Sequence, residues 1–205
     1  MASTIQDRMD VLIERIRAKD ASPYMARYNS LVGELRDFLD AFSAARPGEE
    51  EIDAARSSLQ QLTADFRRQR ADEPELPWGR GLETGSRAQC LFPDLRQLEL
   101  TDTSYRAKVA FGEFHMGFGG AAHGGAVSML MDEAVGVIAN INSNVMKRTA
   151  YLNTSFRALT PIGVELDIHS QVERVEGRKH FYLVTLSHEG QVCAETHALM
   201  IEARQ

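Results

Sequence analysis

The chain has 205 residues, sets 23 Lys and Arg against 29 Asp and Glu for a formal net charge of −6, and is 43% hydrophobic, the profile of an ordinary globular protein of one or two small domains. An acidic balance with no long Lys/Arg block excludes a protein whose main task is neutralising nucleic-acid phosphates. Its two cysteines, Cys90 and Cys193, lack C-x-x-C spacing, so they announce neither a zinc site nor a disulfide framework and fit a reducing cytoplasm.

Residues 1 to about 70 read as a helical extension of three segments. Ile5, Met9, Leu12, Ile13 and Ile16 recur at helical spacing, as do Tyr24, Tyr28, Leu31, Leu35, Leu39 and Phe42, and then Ile52, Ala55, Leu59, Leu62 and Phe66. Ser22-Pro23 suits a helix start, and Arg46-Pro47-Gly48 stops one helix before the acidic start of the next at Glu49-Glu50-Glu51. The acids from Asp7 onward and the lack of a continuous apolar run argue against a signal or transit peptide. No later stretch has the length and apolarity of a bilayer span. A Pro-rich acidic stretch, Asp72 to Pro77, marks a linker or arm over 71–87, ahead of a domain at 88–205.

Within that domain Tyr105, Ala107, Val109 and Phe111 alternate with polar residues, as in a half-buried strand. The glycine-rich run GFGGAAHGG leads into a helix from Ala126 to about Ile141, whose apolar residues Val127, Leu130, Met131, Ala134, Val137, Ile138 and Ile141 form one face. Asn140, Asn142 and Asn144 favour its end. An antiparallel meander of four strands follows, over about 148–159, 164–175, 179–188 and 191–202. One helix between strands calls for an α+β sheet wrapped round that helix rather than a doubly wound fold.

The densest chemical signal is HGGAVSMLMDEA, His123 to Ala134. Gly124 and Gly125 at a helix start leave sterically open N–H groups at its positive end, the outline of an oxyanion hole. Asp132, nine residues after His123, falls roughly 13.5 Å along the axis and about half a turn round it. Either the two are unrelated, or the site is composite, with the N–H groups of one subunit facing the carboxylate of another. Ser128, Gly136 and Ala139 are small and share the Asp132 side.

The string H-G-G, an Asp nine positions after the His, and the strand RTAYLNTSF leading to a Pro-Gly turn closely resemble the PaaI-like hotdog-fold thioesterases, over roughly residues 90–203. The resemblance implies Asp132 as general base or nucleophile on an acyl-CoA thioester and the Gly125 N–H as polariser of its carbonyl. It gives His123 the setting of that loop and Thr149 the holding of the attacking water, at a site shared between subunits of a homodimer or homotetramer and without cofactor or metal. Where many relatives carry an Asn shortly before the HGG, this chain has Gly117 to Gly120, with His115 as the nearest substitute. Asn153 lies on the Thr149 strand face by alternation, and Arg178 and Lys179 at a hairpin suit a CoA phosphate, although a solvated turn is the simpler role for such a pair. Beside hydrolysis stand two other functions, an acyl-CoA-binding sensor without catalysis and a hotdog dehydratase. The absence of a G-x-S-x-G elbow disfavours a serine hydrolase.

Overall fold

The computed structural model describes residues 22–72, 75–77, 88–140, 143 and 145–203. The first apolar stripe, at 5–16, and most of the linker at 71–87 lie outside the described residues. Helix α1, Pro23–Ala44, begins where the sequence marks it, with the Ser22 hydroxyl accepting the Met25 N–H at 3.2 Å and proline in the first turn. After the Pro47-Gly48 break comes α2, Glu49–Arg68, acidic in its first turn and basic at Arg67 and Arg68 in its last, which complements the helix dipole.

Six antiparallel strands make one sheet: β1 Arg96–Leu100, β2 Ser104–Val109, β3 Lys147–Phe156, β4 Leu166–Glu176, β5 Lys179–His188 and β6 Gln191–Glu202, in the order β1-β2-β4-β5-β6-β3. Helix α3, Gly124–Asn140, separates β2 from β3 in sequence and lies on one face of the sheet. Its Leu130, Met131, Ala134 and Val135 are fully buried against Val109, Leu166, Val184 and Leu186, so the alternation of the strands and the three-to-four spacing of the helix meet in one core. This is the α+β architecture of a sheet wrapped round a single long helix.

The connectivity corrects the expected four-strand meander. Strands β4, β5 and β6 do follow one another, but β3 pairs with the far side of β6, and β4 takes β2 as its other neighbour. The cause is the link 157–165, which carries the chain across the end of the sheet. Within it the Thr160 carbonyl accepts the Ala122 N–H at 2.8 Å, and the Gly163 N–H donates to Phe111 at 2.8 Å from a left-handed φ of 71° that glycine adopts without strain. Strand β2 consequently stops at Val109, short of Phe111, which is buried in the following turn instead. Strand β3 is left as an edge strand.

Helix α1 is docked on this domain. Met25 and Val32 are its buried residues. Arg36 donates to the carbonyls of Gln89 at 2.8 Å and Phe92 at 3.2 Å and pairs with Asp94. Asp40 accepts the Phe114 N–H at 2.8 Å.

Candidate active site

Helix α3 and β3 run antiparallel, which sets every distance in the site. At the helix C-terminus Asn140 ties the two together: its Oδ1 accepts the Lys147 N–H at 2.8 Å, while its amide donates to Gly136 at 3.1 Å and to the Lys147 carbonyl at 3.3 Å. The Lys147 ammonium, itself buried, donates to the Ala139 carbonyl at 2.9 Å and the Ser143 hydroxyl at 2.6 Å, a cation on the negative helix end. Burial pulls the Lys147 pKa below 10.5, with Glu202 opposing. Two residues further along β3, the Thr149 hydroxyl donates to Asp132 Oδ1 at 2.8 Å. Asp132 is half-buried and Thr149 exposed, so the pair opens to solvent at the sheet edge. Beside it, space around Gly136 is open and Ser128 is half-buried, while Ala139 is turned into the core.

At the other end, His123 Nδ1 accepts the Gly125 N–H at 3.0 Å, capping the helix from the residue before it. An imidazole that accepts at Nδ1 carries its neutral-state proton on Nε2. A side chain at Gly125 would come within 3.1 Å of that Nδ1, and one at Gly124 within 3.2 Å of the Phe156 ring, so both glycines let neighbours approach the first helical turn. The turn is held from behind: the His123 N–H donates to the His115 carbonyl at 2.7 Å, and the Gly117 N–H to Ala121 at 2.7 Å. Gly117 cannot accept a side chain, because its Cβ would stand 2.9 Å from His123 Cα. Phe118, at the tip of this loop, is fully exposed.

The structure therefore brings Asp132 and Thr149 together, and His123, Gly124 and Gly125 together, but leaves the two groups at different stations along one helix. It separates Asn153 from both. A bulge between Thr149 and Tyr151 adds one residue to β3, so Thr149 stands opposite buried Met200 while Asn153 stands opposite exposed His197. The alternation that would place Asn153 beside Thr149 is broken there, and Asn153 lies on the face away from α3. Arg178 and Lys179 sit exposed at the β4–β5 turn, where Arg178 donates to the Glu202 carbonyl and so clamps the end of β6. The His115 ring is set edge-on to Phe111 and Phe114, with both of its nitrogens buried. Among the described residues no cluster of His, Cys, Asp and Glu is placed to hold a metal ion, and no helix is long and apolar enough to cross a membrane. Residue patterns gave no sign of Arg36, Asp40 or the Asn140–Lys147 lock.

Comparison with known proteins bears on the same region. The thioesterase superfamily pattern matches residues 119–195, from the loop ahead of α3 into β6. Acyl-coenzyme A thioesterase THEM4 of Rattus norvegicus is 32% identical over 88 residues, which are 42% of this chain and only 37% of the rat protein. A solved thioesterase superfamily protein, 22% identical, superposes with a TM-score of 0.70 over 90% of this chain and 97% of its own, a span that takes in the helical extension as well as the sheet. A Streptococcus mutans protein solved with acetyl-CoA bound, 16% identical, gives a TM-score of 0.52 over 56% of this chain and 92% of its own. Sequence pattern and superposition agree: residues 119–195 match the thioesterase superfamily, and the fold is the hotdog architecture shared with a solved protein of that superfamily.

Proposed function

We propose that the protein is an acyl-CoA thioesterase of the PaaI-like kind, cleaving the thioester with water to a free acid and a thiol. The observation that carries this reading is the Thr149–Asp132 hydrogen bond of 2.8 Å, open to solvent on the helix that begins His123-Gly124-Gly125. Because the Thr149 hydroxyl spends its proton on Asp132, its lone pairs are left to accept from a water molecule, whose other proton goes to the carboxylate. Asp132 takes that proton as general base while the water oxygen attacks the carbonyl, and the first-turn N–H groups at Gly124 and Gly125 receive the developing negative charge. To bind there, the carbonyl oxygen takes the Gly125 N–H over from exposed His123. Collapse of the tetrahedral intermediate expels the thiolate.

The two stations join when two copies meet along β3. An edge strand of ten residues, with Tyr151 and Phe156 exposed on it, pairs antiparallel with its own copy about a two-fold axis, and this sets the Gly125 end of one subunit toward the Asp132 end of the other. A homodimer, or a tetramer built from it, follows. The division of the chain into a helical extension at 1–70, a linker at 71–87 and a thioesterase domain at 88–205, and a cytoplasmic setting for its free thiols, belong to the same reading. Lys179 on the β4–β5 turn is a candidate contact for a CoA phosphate. Support comes from the acyl-CoA activity named for the rat relative and from the acetyl-CoA held by the Streptococcus mutans protein.

Thiol release from short, long and aromatic acyl-CoA substrates, measured side by side for wild type and Asp132→Asn, tests it. The substitution should lower turnover by roughly 100-fold or more, the usual range for a lost general base. Equal turnover by both proteins would end the assignment of Asp132, and acyl-CoA binding without any thiol release would turn the reading to a sensor.

A further inference from the structure

Every residue of α2 from Glu49 to Thr63 is exposed, and none of its residues is buried. Its apolar residues are nevertheless in strict order: Ile52, Ala55, Leu59, Leu62 and Phe66 follow at intervals of four and three, the a and d positions of a coiled-coil heptad. Ile52, Leu59, Leu62 and Phe66 keep between 44% and 55% of their surface in water. Ile52, Ala55 and Leu59 line, with Phe38 and Phe42 of α1, an apolar groove of about 840 Å³, and Leu62 and Phe66 continue the stripe beyond it. Among the described residues no strand or other helix packs along α2. A solitary helix of this length is marginal in water, so a surface must cover it.

We propose that α2 is a self-association helix, which pairs antiparallel with α2 of a second copy of this chain. The charges select both the occupant and the direction. Glu49, Glu50 and Glu51 fill the first turn and Arg67 and Arg68 the last; antiparallel pairing about a two-fold axis sets acids against bases at both ends at once, whereas parallel pairing sets like on like. Packing agrees. With Leu59 of one copy opposite Leu62 of the other, the small Ala55 falls opposite the large Phe66, the a-against-d layering of an antiparallel pair. This interface is separate from the β3 edge and does not depend on the chemistry proposed above.

Cysteine cross-linking of the full-length chain tests it, with Cys90 and Cys193 replaced by serine. Positions 55 and 66 lie roughly 16.5 Å apart on one helix, beyond the reach of a disulfide within a chain. Under mild oxidation the double variant Ala55→Cys/Phe66→Cys should therefore give a covalent dimer, while each single variant should not. Reversing Glu49, Glu50 and Glu51 to lysine should abolish that dimer, and adding Arg67→Glu and Arg68→Glu to the same chain should restore it. Circular dichroism of each variant separates lost pairing from lost folding. Dimers from the single variants would establish a parallel pair and overturn the proposal. A double variant that stays monomeric, and begins to cross-link only when residues 1–21 are deleted, would overturn it too, assigning the groove to that segment; one that stays monomeric with and without them leaves no self-pairing of α2.

Discussion

His115 presents an imidazole whose two ring nitrogens are both buried without a hydrogen-bond partner, the Leu91 carbonyl lying near the ring but outside bonding geometry. Burial lowers its pKa below 6.5, and Arg36 pushes the same way, while Asp40 and the Leu91 backbone oppose. A histidine with a lower pKa in the folded than in the unfolded state binds fewer protons when folded, so its native environment favours folding above pH 6.5 and that advantage shrinks as pH falls toward the lowered value. The melting temperature should accordingly drop between pH 7 and pH 5, and His115→Phe, which keeps the edge-on ring contacts, should flatten that slope. Thermal melts across the range check it, and an unchanged slope in the variant would remove His115 as the source. Its neighbour Asp40 offers a different test. The carboxylate accepts the Phe114 N–H, and His115 accepts the His123 N–H, so α1 braces the turn from which Gly125 donates. Asp40→Ala should lower kcat several-fold with little change in KM, whereas Asp40→Asn, which keeps an acceptor oxygen, should stay near wild type. Gly112 shows how tight that docking is, since a Cβ there would lie 2.0 Å from the Asp40 carboxylate.

The junction of α3 and β3 places five hydrogen bonds on Asn140 and Lys147. Replacing Asn140 with alanine strands the Lys147 N–H, a buried donor, and should cost about 1–3 kcal/mol, read from urea denaturation, because an unsatisfied buried group bears its full desolvation penalty. Sequence patterns showed part of this. The stripe from Val127 to Ile138 and the stops at Ser22-Pro23 and Pro47-Gly48 depend on neighbours a few residues away, and the structure has them where periodicity and turn chemistry put them. Asn140 reads as a helix end, which it is, yet its hold on Lys147 needs the strand to be in place. Pairing of β3 with β6 rather than β4 is a contact between distant segments, and no local pattern encodes it. The bulge that turns Asn153 outward is invisible for the same reason. Asp40 is one of 29 acidic residues, and its partner lies 74 positions away, so nothing in its own surroundings singles it out. Asp132 with Thr149 was legible only because spacing and family resemblance coincided there.

For the whole molecule, the separation of Gly125 from Asp132 along one helix makes the proposed site a property of two subunits, and mixing subunits tests that. Gly125→Pro removes the N–H at a first-turn position that tolerates proline, and Asp132→Asn removes the base; each homodimer should be nearly inactive. Denaturing and refolding the two together in equal amounts yields heterodimers in which one of the two sites draws both intact groups. Recovery of about a quarter of wild-type turnover is expected, since half the dimers are mixed and each has one good site. Failure to recover any activity, with mixed dimers verified by mass spectrometry, would place both groups of each site in a single subunit. The position of β3 at the sheet edge has one more consequence. In the proposed dimer, parting of the subunits would bare the outward-facing backbone groups of this ten-residue edge strand as a template for any extended chain that passes. Dilution should thus lower the melting temperature and hasten precipitation on heating, the reverse of ordinary aggregation, which worsens as protein is concentrated.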